Sequence, residues 1–138
     1  MALGLTKLNN VSVFNGVTAQ QADILWASDS GTVLNALATE EFQGVMLQIQ
    51  VTFHTDGSED AFLHIRNSAD DGTTLDDEDT YTYAKTIPFV AAAGTAIVSH
   101  LVPYAFDYLD VGIENQESSD YDLTVTIDYT GSKVTGMA

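Results

Sequence analysis

Between Gly44 and Arg66 apolar and polar residues alternate with a period of two, and no other feature of the chain restricts its fold as much. Leu47, Ile49, Val51 and Phe53 alternate with Gln48, Gln50, Thr52 and His54. After TDGSED, Ala61, Leu63 and Ile65 alternate with Phe62, His64 and Arg66. Successive side chains of a strand point to opposite faces, so each run has one apolar and one polar face. Asp56-Gly57 between them is a turn signal, because Gly takes positive φ without a Cβ penalty and Asp hydrogen-bonds the local backbone. The spacing predicts a two-stranded antiparallel hairpin whose apolar face the rest of the chain must cover, with His54 and His64 both facing outward.

The same alternation recurs on both sides. Val11 to Phe14 reads as a strand ended by a turn at Asn15-Gly16, Ala22 to Ala27 as a second strand and Thr32 to Leu37 as a third. Tyr81 to Ile87 resumes strand character until Pro88, which has no N–H for a ladder. Ala91 to Gly94 is a small-residue turn, and Thr95 to Val102 is a strand on which Ile97 and Leu101 share a face. Leu109, Val111 and Ile113 form another apolar face before a polar turn from Asn115 to Asp120. The longest alternation comes last, with Tyr121, Leu123, Val125, Ile127 and Tyr129 opposite Asp122, Thr124, Thr126, Asp128 and Thr130, up to Gly131.

Eight or nine short strands with no helix and no internal repeat define an all-β chain. Clean alternation leaves one wet face per strand, the mark of antiparallel sheets stacked as a sandwich. An eight-stranded jelly roll is the first expectation. An immunoglobulin-like sandwich is the second, although the Cys-Trp-Cys framework of antibody-type domains is missing. Residues 11–131 form the expected domain, with 1–10 as an N-terminal arm and 132–138 as a C-terminal tail. Leu3, Leu5 and Leu8 are the arm's apolar anchors and the candidates for contact with a neighbouring subunit.

Charge excludes whole classes of partner. Twenty Asp and Glu stand against Lys7, Arg66, Lys85 and Lys133, for a formal charge of −16. Four scattered cations cannot form the basic face that nucleic acid or an anionic membrane requires, so neither is an expected partner. Apolar residues make up 45% and charged ones 17%, a globular balance and not that of a disordered acidic tail. With no cysteine there is no disulfide, thiolate metal site or cysteine nucleophile. The start MALGLTKLNN has no basic region followed by an apolar core, and no run reaches transmembrane length, so synthesis in the cytoplasm is expected.

Candidate chemistry is sparse. The acidic stretch NSADDGTTLDDEDT places Gly72 and Glu78 at the sixth and twelfth positions of an EF-hand loop counted from Asn67, but Ala69 stands where an oxygen ligand is needed and strands flank the loop. It reads as a solvated surface loop. A looser calcium site from Asp70, Asp71, Asp76, Asp77 and Asp79 is the alternative, and otherwise no metal or cofactor is expected. Ser99-His100 is merely adjacent on a strand, and no Gly-x-Ser-x-Gly occurs, so no catalytic residue is assigned and an enzyme is not expected. Trp26 and the six tyrosines would suit a sugar-binding platform if they were exposed, yet Tyr121 and Tyr129 share the apolar face of the last strand.

The order of pieces QGVMLQIQVTF, AFLHIRNSADDGTT and FDYLDVGIENQESSDYDLTVTIDYTG resembles the small acidic β-sandwich proteins of tailed bacteriophages. These are accessory components of the particle, such as capsid decoration proteins, head fibres, and neck or tail proteins. The resemblance covers Gly44 to Gly131 as a style of strands and turns, and it carries over no functional residue. It implies a non-enzymatic structural protein located in the virion and present in many copies. Its implied partners are other copies of itself and virion proteins such as the major capsid protein or tail and neck proteins. A carbohydrate- or calcium-binding module is the alternative from another class.

Overall fold

The computed structural model describes residues 3–20, 23–27, 42–68, 82–102 and 108–137. They form eight strands: β1 (Leu3–Ala19), β2 (Ile24–Trp26), β3 (Phe42–Thr52), β4 (Ala61–Ser68), β5 (Thr82–Ile87), β6 (Thr95–Val102), β7 (Tyr108–Asn115) and β8 (Leu123–Met137). One four-stranded sheet has the order β1-β8-β3-β6 and the other β2-β7-β4-β5, and every pairing is antiparallel. Every connection except β4 to β5 changes sheets. Two four-stranded sheets wound in this order are a jelly roll, as the alternation predicts.

The core lies between the sheets and is built from the alternating apolar sets. In the first sheet Leu47, Ile49 and Val51 of β3 lie opposite Tyr129, Ile127 and Val125 of β8, all buried. In the second sheet Leu63 and Ile65 lie opposite Ile113 and Val111, again buried. Each such aliphatic side chain taken from water stabilises the fold by about 1.5–3 kcal/mol, which is why a one-residue slip in register is not tolerated. Tyr129 is the exception in kind. Its buried hydroxyl has no hydrogen-bond partner among the described residues, and burial pushes its pKa up.

The expected hairpin does not form. β3 and β4 belong to different sheets, so the segment between them is an arch that carries the chain from one layer to the other. Their apolar faces meet across the core instead of sharing one sheet face. Alternation states which side of a strand is apolar; it is silent on whether that side is covered by a neighbour's inner face or by the strand's own sequel. The arch is tied by the Gly57 N–H donating to the His54 carbonyl (3.0 Å) and by the Ser58 and Glu59 N–H groups donating to Glu117 Oε1 (2.7 and 2.8 Å). At its far end the Phe89 N–H donates to Asp60 Oδ1 (2.7 Å), and Phe53 packs edge-to-face on Phe89 at 5.3 Å.

Nor is Asn15-Gly16 a turn. β1 runs straight through it, and the register against β8 shifts between Ser12 and Phe14 and again between Phe14 and Val17. Gly16 takes φ 65°, while its N–H donates to Thr126 Oγ1 at 3.1 Å. The signal that would close a hairpin is absorbed as the second of these irregularities, and the first leaves the adjacent Val13 and Phe14 both buried. At the outer ends of the two strands, Leu3 pairs with Met137, Leu5 with Val134 and Leu8 with Gly131. Residues 3–10 and 132–137, read as arm and tail, are therefore the terminal parts of β1 and β8, and Gly131 does not end the last strand. The expected strand Thr32 to Leu37 lies outside the described residues.

The turn joining β5 to β6 shows local strain. Gly94 N–H donates to the Ala91 carbonyl at 3.2 Å, and the two central residues, Ala92 and Ala93, have φ of 59° and 55°. Two positive φ values define a type I′ turn, in which residues with a Cβ are disfavoured. A Cβ on Gly94 itself would collide with Val90 Cγ1 and come within 2.9 Å of the Ala91 carbonyl, so glycine is required there for space. Ala93→Gly is expected to raise the unfolding free energy by about 1 kcal/mol, since the left-handed penalty is removed. Urea denaturation checks this, and a clear loss of stability would contradict the assigned turn.

Candidate functional site

The polar faces of the two sheets differ in kind. On the second sheet the strands carry a row of charged groups that is buried. Arg66 of β4 stands opposite Asp110 of β7, and its Nε donates to Asp110 Oδ2 at 2.9 Å. Arg66 is 8% exposed and Asp110 0%, so breaking the pair from one side would cost about 3–5 kcal/mol by stranding a buried charge. The Arg66 guanidinium also lies 4.0 Å from the centre of the Trp26 ring, a cation–π contact. Gly112 makes room for that ring, because a Cβ there would come within 2.7 Å of both Trp26 Cε3 and Ile24 Cγ2.

His64, expected on the surface, is buried in the same row. Its Nε2 lies 3.4 Å from Glu114 Oε1, and its pKa is lowered because burial, which penalises the imidazolium, outweighs the nearby Glu114 carboxylate. The parity read from the sequence is right, since His64 and Arg66 do point away from the core. Solvent does not reach them there. His54 sits in the arch, accepting the Asp56 N–H on Nδ1 (3.1 Å) and stacking on Tyr121 at 4.7 Å. His100 lies on β6, where burial and then Lys85 lower its pKa. The three imidazoles thus occupy three separate places, and among the described residues no group of His, Asp and Glu could hold a metal ion. Asp70, Asp71, Asp76, Asp77 and Asp79 lie outside the described residues. Leu3, Leu5 and Leu8 are brought into the β1–β8 ladder.

On the first sheet the outer face is open. Across β3 and β6 the outward rows are Met46 opposite Leu101, Gln48 opposite Ser99, Gln50 opposite Ile97, and Thr52 opposite Thr95. Ile97 is 61% exposed, Leu101 53% and Met46 41%, while Thr52 and Thr95 join their hydroxyls at 2.9 Å. None of these eight side chains is charged, and the nearest carboxylate in the rows is Asp128, one strand further on β8. β6 is the edge of the sheet among the described strands. Its Ser99 carbonyl receives the Lys85 ammonium at 2.7 Å, a charged lysine set against an open edge. The sequence places Ile97 and Leu101 on one face, but only the sheet topology shows that this face is outward. A further groove of about 210 Å³, lined by Thr18, Gln20, Asp23, Ile24 and Leu25, falls below the range of about 300–1,000 Å³ usual for small-molecule sites.

No family model matches the chain, and no curated protein matches it. Among solved structures it is similar to infectious bursal disease virus VP2 in a subviral particle, with 8% identity over 96% of this chain and a TM-score of 0.52. It is also similar to the CBM22-1-GH10 modules of Clostridium thermocellum xylanase 10B complexed with xylohexaose, at 13% identity, 98% coverage and a TM-score of 0.51. The chain spans 33% and 27% of those two proteins. A xylan-binding CBM22-1 domain from Paenibacillus barcinonensis Xyn10C aligns over the whole of both chains at 12% identity and a TM-score of 0.49. The two likenesses above a TM-score of 0.5 show the sandwich fold alone. Among the described residues no helix is long and apolar enough to cross a membrane.

The lowered pKa values of His64 and His100 set a pH dependence. The folded protein holds both imidazoles neutral below the pH at which an unfolded one, with its ordinary value of 6.5, takes up a proton. In that window the unfolded chain binds more protons, so stability is complete above it and declines as pH falls through it. The melting temperature is expected to drop between about pH 7 and about pH 5, and to drop less in a His64→Gln/His100→Gln variant. Equal slopes in the two proteins would contradict the burial assigned to these side chains.

Proposed function

We propose that this chain is a non-enzymatic structural protein of a phage-like virion, a capsid decoration or head or tail accessory subunit that acts in many copies through surface contacts. The observation that carries this reading is the uncharged outer face of β3 and β6, where Met46, Ile97 and Leu101 are exposed on a chain of net charge −16. Met46 and Leu101 stand directly opposite one another with Ile97 two rows away, and large apolar side chains exposed together on an uncharged area mark a contact surface. The acidic remainder keeps copies soluble and apart everywhere else. The sugar-binding alternative needs exposed aromatic rings, and three of the rings read as its platform are engaged elsewhere. Trp26 and Tyr129 are buried, and Tyr121 is stacked on His54.

Mass spectrometry of purified particles tests the reading. The protein is expected in the particle in many copies per capsid, and it is expected to show no thermal shift with xylo-oligosaccharides. Detection in the infected-cell lysate but never in particles would contradict the structural reading, and saturable oligosaccharide binding would replace it with the alternative.

A further inference from the structure

On the basis of that structural reading, we propose that β6 is where two copies of this chain join, strand to strand and antiparallel, about a two-fold axis at Ser99. The two four-stranded first sheets then continue into one another across the pair of β6 strands.

The backbone has the groups for it. Because the Ser99 carbonyl points to Lys85 and not to β3, the alternation of an antiparallel ladder turns the N–H and C=O of Thr95, Ile97, Ser99 and Leu101 outward from the sheet edge. Among the described residues no strand pairs with that edge. Lys85 uses one of the two lone pairs of the Ser99 carbonyl, which leaves the other for a strand N–H.

The side chains select the register. With Ser99 facing Ser99, Ile97 of one copy lies directly opposite Leu101 of the other, and the two-fold repeats the pair on the far side of the axis. Met46, opposite Leu101 on β3, extends each of these contacts by one strand. Ile97 and Leu101, the two most exposed large apolar side chains among the described residues, would thus be covered by each other. Moving the two-fold axis by one residue, a relative slip of two, keeps the outward backbone groups opposite one another but breaks this match.

Electrostatics select the partner. The strand TAIVSHLV contains no carboxylate, lysine or arginine, and its one titratable group, His100, is held toward the neutral form. A second copy carries the same charge of −16 and is repelled by the acidic surfaces of the first; along β6 it meets no carboxylate, and the charge held at that edge is the Lys85 ammonium on the Ser99 carbonyl. Strand edges that can pair with themselves form closed, symmetric dimers because each residue finds its complement on the other copy.

The chain has no cysteine, so Ser99→Cys introduces a single thiol at an exposed position. In the proposed register the two Cα atoms lie about 5.5 Å apart, inside the disulfide range of about 4.4–6.8 Å. Under mild oxidation Ser99→Cys is expected to give a covalent dimer much faster than Ser58→Cys, an exposed control in the arch. Sedimentation equilibrium of the unmodified chain is expected to show a concentration-dependent dimer, lost in Ile97→Lys/Leu101→Lys while the β circular dichroism spectrum is kept. A monomer at all concentrations, or equal cross-linking at positions 99 and 58, overturns the pairing through β6. Either result with the protein still present in particles leaves the structural reading standing; absence from particles removes that reading whether or not the dimer forms.

Discussion

The Glu117 carboxylate holds the architecture at its most demanding point. It accepts the N–H groups of Ser58 and Glu59, so the arch that moves the chain from the first sheet to the second is bonded to the turn between β7 and β8. Asn115 completes the junction. Its amide nitrogen donates to the carbonyls of Ala19 and Tyr121, and its Oδ1 accepts the Glu117 N–H. Ends of β1 and β7, the start of β8 and the arch are thereby joined by two buried side chains, which satisfy backbone groups that no ladder can reach. Gly57 sits against this junction, where a Cβ would approach Glu117 Oε1 to 2.9 Å and the His54 carbonyl to 3.2 Å.

From this follows what could be read in the residues and what could not. β6, β7 and the inner face of β8 are visible in the alternation of Ile97 with Leu101, Val111 with Ile113, and Leu123 through Tyr129, because a strand's two faces are a local property. Sheet membership is not local. Whether Leu47 and Leu63 share a sheet or face one another depends on Glu117, more than fifty positions beyond the arch, and a glutamate in a polar stretch reads as solvated. The same limit hides the row in which Arg66, Asp110 and His64 are buried beside the half-buried Glu114. Each is polar and outward by parity, and their sequence spacing of forty residues or more conceals that register makes them neighbours. A faint signal exists in Arg66, one of only four cations, placed on a strand with the apolar pattern of a core element.

The two outer faces divide the work of the sandwich. On the second sheet, paired charges and Trp26 are locked together out of water, a rigid surface already committed to its own contacts. On the β3 and β6 part of the first sheet, glutamine, serine and threonine separate three exposed apolar side chains, so that area is uncharged, and Thr52 and Thr95 join their hydroxyls across it. An acidic protein with one uncharged face has a preferred direction of contact, which is what a subunit placed on a larger assembly requires.

The central claim is that β3 pairs with β6 and not with its sequence neighbour β4, and an engineered disulfide tests it most directly. Thr52 and Thr95 touch through their hydroxyls at 2.9 Å, so a Thr52→Cys/Thr95→Cys variant of this cysteine-free chain is placed to oxidise within one molecule. The account predicts an intramolecular disulfide, with no free thiol, no disulfide-linked dimer and a raised melting temperature. If that pair stayed reduced while Thr52→Cys/Phe62→Cys closed readily, β3 and β4 would form the hairpin after all, and the arch, the buried junction and the open face of β6 would fall with it.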